Sequence, residues 1–301
     1  MGKNLLQPVR ASHLSRALGL ELLGEDREIR ELCGLEALSG HGLSFSRDRR
    51  PGASCSGTVF ASEPPESGSL TVLRSDKPRL EFIRAQYLLQ ESPGFEEDDA
   101  PPDIHPAARI GAHAVIENGV SIGEGTRVGS LAVIKSGTRV GRHCDIKSGA
   151  VVGETGFGFE RDGANRPLRM IHFGRVVIGD RVEIGSLTTV CRGALGDTVL
   201  EDHVKIDDHC HISHNCRIGE GAMITAGVAI SGSVTIGRDA WLAPGCALVQ
   251  KISVGADAFI GIGAVVTRSV PAGARVFGNP ARPIPVLAGP SRRHGAKRRD
   301  P

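Results

Sequence analysis

The chain has 301 residues, with 36 Lys and Arg against 34 Asp and Glu, so its formal net charge is only +2. That length carries one large or two ordinary domains with a sizeable core, and the near balance of charge excludes a dedicated nucleic-acid binder, which needs a dominant basic field. Aromatic residues make up 4% while Gly reaches 40, and seven Cys are scattered with no CxxC, a composition that points to a core of small aliphatics and to reduced thiols in a cytoplasmic compartment.

The N-terminal stretch MGKNLLQPVRASHLSRALG lacks the apolar core of a signal peptide, and the chain lacks the roughly 18-residue apolar run of a membrane helix, so a cytoplasmic protein without stable membrane insertion is expected. ASHLSRALGLEL predicts a short helix with Ser12 as N-cap and Gly19 near its end, and DKPRLEFIRAQYLLQ a second one opened by Asp76 and Pro78. VFAS and SLTVL read as strands. Residues 1–100 are therefore expected to form a small α/β cap domain, joined by the acidic FEEDDAPPD linker to a second domain over 101–285.

From Ile104 every sixth residue is aliphatic: Ile104, Ile110, Ile116, Ile122, Val128, Ile134, Val140, Ile146, Val152. Neither a helix nor an isolated strand selects that period; a hexapeptide solenoid does, each repeat being one short strand and a turn with the aliphatic residue pointing inward. The pattern stops at GETGFGFERDGANRPLRMIHFGRVV, resumes at Ile178, slips again through CRGALGDTV, and holds from Leu200 to Val266. One repeat cannot bury its apolar face, but about eight stacked triangular coils can.

Within this solenoid KIDDHCHISHNCRIG, with His203 just upstream, gathers His203, His209, His211 and His214. Metal ligands, acid/base catalysts and polar decoration are all open readings of such a cluster. Because the inward positions are taken by aliphatics, these histidines are expected on an outer surface, and flat solenoid faces pack readily against copies of themselves in a cyclic homotrimer.

GFGFERDG, HFGRVVIGDRVEIGSLTTVCRGALGDTV and KIDDHCHISHNCRIG together resemble the signature blocks of the UDP-3-O-(3-hydroxyacyl)glucosamine N-acyltransferases of lipid A synthesis. The resemblance spans roughly residues 10 to 270. It implies a left-handed parallel β-helix behind a nucleotide-binding cap, and transfer of a 3-hydroxyacyl chain from acyl carrier protein to the amine of a UDP-glucosamine derivative. It further implies His214 as general base, Asp207 as its carboxylate support, and the backbone of Gly232 as oxyanion donor. The chemistry suits these residue types: a sugar amine loses a proton as it attacks a thioester, imidazole accepts protons near neutrality, and a glycine lets its N–H approach closely. Gly156, Phe157, Gly158 and Phe159 are expected to shape the substrate pocket, with His172 as a polar contributor and Phe45 stacking on the base. No bound cofactor or metal is expected, the acyl group arriving on phosphopantetheine.

Three positions depart from that pattern. Lys251 stands where the family commonly has a second histidine, and a lysine there can bind a phosphate. Cys191-Arg192-Gly193-Ala194 replaces D-R-G-A, and the run RDRR follows Phe45 where a Tyr is expected. RVFGNPARPI resembles the ending of acetyl-CoA-dependent hexapeptide transferases, in which a G-N-P-A turn closes the last coil, so CoA in a nucleotide-aminosugar N-acetyltransferase is the alternative donor. A zinc-dependent carbonic anhydrase of the gamma class, itself a solenoid, is the alternative of another class. It would draw ligands from His209, His214 and His172. Residues 286–301 form a basic tail, with Arg292, Arg293, Lys297, Arg298 and Arg299, suited to an acidic carrier.

Overall fold

The computed structural model describes residues 2–48, 56–64 and 69–283. A six-stranded mixed sheet comes first, running in space through Lys3–Arg10, Glu28–Leu32, Gly42–Phe45, Ser56–Ala61, Ser69–Arg74 and Glu21–Leu23. Two helices, α1 (Ala11–Leu18) and α2 (Pro78–Glu91), complete this unit. Ser12 is not the cap of α1. Arg10 takes the N-cap position, and Ser12 lies in the first turn, where its N–H and hydroxyl both donate to the Asp26 carboxylate at 2.9 Å. A distant acid thus satisfies one free N–H of the helix end, with the favourable sign for the helix dipole. Pro78 opens α2 and Gly19 closes α1 in the left-handed region, both as the sequence suggests.

The remainder is a parallel solenoid of three sheets, two of eight strands and one of ten. Each coil contributes one strand to each sheet: face A carries Asp103–Ile104, Ser121–Ile122, Arg139–Val140 and their successors, face B begins with Arg109–Ile110, and face C with Val115–Ile116. Ile104 pairs with Ile122 and Ile122 with Val140, so the sixth-residue aliphatics stack in columns down the prism. Ile134, Ile146, Val152, Ile184, Leu200 and Ile230 are all fully buried. At roughly 1.5–3 kcal/mol per buried aliphatic side chain, this column is the main stabilising element.

A second inward slot lies two residues before each aliphatic. It holds small side chains: Thr126, Ala132, Ala150, Ala222, Ala240 and, in the same position, Cys144, Cys210, Cys216 and Cys246, all buried. Four of the seven scattered cysteines are therefore corner fillers. Where Thr126 takes the slot, its hydroxyl donates to Gly141 O at 2.8 Å and accepts the Cys144 N–H at 3.0 Å, so that hydroxyl is satisfied inside.

Two detours interrupt the corner between faces C and A. After Val151–Glu154 the chain leaves the coil, forms an antiparallel pair between Phe159–Arg161 and Pro167–Arg169, and returns at Val176. Helix α2 holds this excursion. The Gln86 amide donates to Ile171 O at 2.9 Å and accepts Ile171 N–H at 3.1 Å, Tyr87 donates to Arg169 O at 3.1 Å, and Arg79 pairs with Glu160. Met170 and Leu195 join Leu14, Phe60 and Phe82 in one apolar cluster, so the N-terminal unit is seated on both detours. At the far end, Ala281 N–H donates to Val265 O at 2.8 Å and Val276 pairs with Pro283, so the G-N-P-A segment turns over the last coil.

Candidate active site

The corner between faces C and A collects the chemistry. His214 occupies it in the fifth coil, following the strand His211–Ile212, and is partly buried. Asn215 comes next, with φ of 59°, a left-handed conformation that asparagine tolerates better than most residues. The residue is fixed at three points: Oδ1 accepts Ala194 N–H at 2.9 Å, Nδ2 donates to Gly196 O at 3.1 Å, and the backbone N–H donates to Thr198 Oγ1 at 2.9 Å. Oδ1 also lies 3.0 Å from His214 Nδ1. An acceptor in that place assigns the proton to Nδ1 and leaves the Nε2 lone pair free to take a proton.

Gly232 occupies the same corner one coil further on. A Cβ there would stand 2.7 Å from both Cε1 and Nε2 of His214, so only glycine fits beneath the ring. The Gly232 N–H donates to no acceptor among the described residues. The site thus pairs an imidazole with an open Nε2 and an adjacent free backbone donor.

On the opposite side of His214 the first detour closes in. His172 packs its ring edge-on at 5.2 Å between centroids and is 5% exposed. Its Nδ1 accepts the Gly156 N–H at 3.1 Å. Burial, reinforced by the charge of His214 and then of Arg169, pushes the His172 imidazole down to about 4, so it is neutral at ordinary pH. Gly156 is wedged between the two rings: a Cβ would lie 2.9 Å from His172 Cε1 and 3.0 Å from His214 Cδ2. Phe157 is 85% exposed and Phe159 half-buried, their centroids 4.8 Å apart, with the Arg169 guanidinium 4.4 Å over the Phe159 ring. Phe157, Phe159, Glu160, Arg161 and Pro167 line a cavity of about 320 Å³.

Of the residues expected from sequence, His214, Gly232, Gly156 and His172 are therefore brought together, with Phe157, Gly158 and Phe159 on the adjoining loop. Asp207 is not brought to His214. It sits at the corner between faces B and C, where its own carboxylate accepts the Asp208 N–H at 2.8 Å and its carbonyl accepts the Thr188 hydroxyl. The place at His214 Nδ1 belongs to Asn215 instead. His203 and His209 are exposed left-handed corner residues of the other two edges, and His211 points outward from face C. Among the described residues of this one chain, no group of three or more His, Cys, Asp or Glu is placed to hold a metal ion. Lys251 is an exposed corner residue of the edge that carries His214, its N–H bonded to Gly232 O at 3.0 Å. Phe45 packs against Phe82 at 5.1 Å in the N-terminal unit. Arg49, Arg50 and the 286–301 tail lie outside the described residues.

Sequence reasoning missed Asn215 as the ring's holder and Arg192 as a staple. The Arg192 guanidinium donates to Gly153 O at 2.7 Å and Ser136 O at 2.6 Å, tying the second detour to the two preceding coils. Cys191, at the position of the absent acid, is 3% exposed, and burial pushes its thiol up to about 11.

The family described as "Bacterial transferase hexapeptide (six repeats)" matches residues 119–154 and 197–232, the second stretch ending on Gly232. A protein of Aromatoleum aromaticum named UDP-3-O-acylglucosamine N-acyltransferase is 34% identical over 232 residues, covering 66% of this chain and 68% of that one. The chain belongs to the UDP-3-O-acylglucosamine N-acyltransferase family. It is an acyltransferase by family. The Coxiella burnetii member is 32% identical over 227 residues, 65% of this chain and 66% of that one. With the Paracidovorax citrulli member the match is 38% over 104 residues, 35% of this chain and 27% of that one. The aligned part of this chain thus spans about two thirds or less of these relatives. Among solved structures, LpxA of Acinetobacter baumannii aligns with a TM-score of 0.57 at 25% identity, covering 62% of this chain and 70% of that one. The UDP-N-acetylglucosamine acyltransferase of Francisella novicida aligns with a TM-score of 0.53 at 27% identity, covering 61% and 68%. The solenoid is accordingly a left-handed parallel β-helix.

Proposed function

We propose that this enzyme moves a 3-hydroxyacyl chain from the phosphopantetheine thioester of acyl carrier protein to the amine of UDP-3-O-acylglucosamine. The observation that carries the reading is the pairing of an Nδ1-held His214 with the bare backbone of Gly232 in one corner of a family member. The amine lone pair attacks the thioester carbonyl and forms the N–C bond, while His214 Nε2 takes the amine proton. The Gly232 N–H stabilises the oxyanion of the tetrahedral intermediate. As the C–S bond breaks, the proton passes from His214 to the leaving thiolate. Atoms balance without a metal or redox partner.

Residues 1–100 supply the nucleotide-binding part, with Phe45 against the base, residues 101–285 the catalytic β-helix, and the 286–301 tail an attraction for the acidic carrier. Lys251 reaches a phosphate from the catalytic edge. A homotrimer completes the site at clefts between copies: the outward row of face C carries Val115, Val133 and Val151 in its first three coils and Ala229, Ala247 and Val265 in its last three, with the polar Thr189 and His211 between them beside the His214 corner. The reaction is cytoplasmic; no helix among the described residues is long and apolar enough to cross a membrane.

A donor screen tests this reading: mass spectrometry of products from UDP-3-O-acylglucosamine and UDP-glucosamine with 3-hydroxyacyl carrier proteins, against acetyl-CoA. N-acylated product from carrier-bound donors supports it. Transfer from acetyl-CoA alone assigns the N-acetyltransferase alternative instead.

A further inference from the structure

We infer that the Nε2–H of His172 is a hydrogen-bond donor kept for the oxygen on the sugar carbon next to the reacting amine, making His172 a specificity-determining residue for the acyl acceptor. This rests on the acyl-transfer reading above and adds to it a residue that distinguishes acceptors.

The tautomer follows from one contact. His172 Nδ1 accepts the Gly156 N–H, so the neutral ring carries its proton on Nε2. That nitrogen is buried and has no hydrogen-bond partner among the described residues. Leaving a buried donor unpaired is costly, a cost that an acceptor atom on a bound substrate removes. The low proton affinity of the ring keeps it a neutral donor, which suits an ester or hydroxyl oxygen rather than a phosphate.

Position selects the oxygen. Gly232 lies at the Cε1 and Nε2 edge of His214, and Gly156 with His172 lies against its Cβ and Cδ2. Two unpaired N–H donors therefore flank the base from opposite sides. The acyl carbonyl goes to Gly232, which leaves the His172 side for the sugar that bears the amine. The amine-bearing carbon has two oxygen-bearing neighbours, one esterified to phosphate and one acylated; the neutral His172 donor suits the acylated oxygen. Gly158 lies over the donor: a Cβ there would stand 2.8 Å from Nε2, so the glycine leaves room that any side chain would fill.

The test pairs enzyme variants with acceptors. His172→Asn keeps an acceptor for the Gly156 N–H but does not reach the Nε2 position, whereas His172→Gln places an amide N–H near it. Each enzyme is assayed with UDP-3-O-acylglucosamine and with a 3-deoxy analogue, and with donors bearing or lacking the 3-hydroxyl. The expected result is a wild-type preference of roughly 10- to 100-fold in kcat/KM for the acceptor with its oxygen, lost in His172→Asn and partly restored in His172→Gln. An unchanged preference in His172→Asn overturns the inference, as does a loss of discrimination between the two donors instead. Absence of transfer by the wild type to either acceptor overturns the acyl-transfer reading itself.

Discussion

Asn215 Oδ1 lies 3.0 Å from Nδ1 of His214, so an amide holds the ring of the proposed base. An amide fixes the tautomer but adds little to the stability of the imidazolium, unlike the carboxylate that supports histidine in a Ser-His-Asp triad.

Removing that amide should therefore release the ring. Asn215→Ala is expected to lower kcat roughly 10- to 100-fold, because a ring free to rotate or change tautomer is less often aligned. Asp207→Asn, at a different corner, should leave kcat within about threefold. Steady-state kinetics on the two variants give the comparison, and the reverse ranking would return the supporting role to Asp207.

Gly232→Ala places a methyl group 2.7 Å from His214 Cε1 and Nε2. The ring must shift, and the methyl crowds the free N–H beside it, so kcat should fall about 10²- to 10³-fold. The Gly232 φ is not positive, so the backbone accepts alanine without strain. The variant should keep its melting temperature within a few degrees; a large drop would mean that the glycine serves packing alone.

The solenoid was legible because its signal is one column of side chains: every sixth position faces inward, and neither detour erased the rhythm on either side. The site was legible only in part, and the geometry explains which part. Each hexapeptide advances the chain by one corner, so residues seven apart, such as Asp207 and His214, lie on neighbouring edges. Residues that share an edge are adjacent, like His214 and Asn215, or one full coil apart, like His214 and Gly232. A search along the coil spacing would have favoured Asn215 over Asp207. In the N-terminal unit the strand Lys3–Arg10 escaped notice because only Leu5 is buried, so no alternation marks it.

The neutral His172 has a consequence for acid stability. Its folded value of about 4 lies below the ordinary 6.5, so between those values the unfolded chain binds the proton and the folded one does not. The associated stability is complete above about pH 6.5 and is lost as pH falls toward 4, on the order of 3 kcal/mol in all. Urea unfolding across that window should show a steeper pH dependence for the wild type than for His172→Gln; parallel curves would contradict it.

The corner cysteines should be inert in the folded protein. Burial pushes the Cys216 thiol up to about 11 and Cys246 up to about 12. A thiol reagent at pH 8 should spare Cys144, Cys210, Cys216 and Cys246 until denaturant is added, and prompt labelling of any of them would show that the coils open. Cys246→Ala, which puts in that slot the residue already found at Ala240, should cost only about 1 kcal/mol.

The central claim is that His214 is the proton acceptor. The direct measurement is kcat and KM for His214→Ala with UDP-3-O-acylglucosamine and a 3-hydroxyacyl carrier protein, beside His203→Ala, His209→Ala and His211→Ala. The account predicts a loss of roughly 10² to 10⁴ in kcat for His214→Ala alone, with KM little changed. A loss under about threefold would contradict it, as would equal inactivity of His209→Ala with activity restored by added zinc.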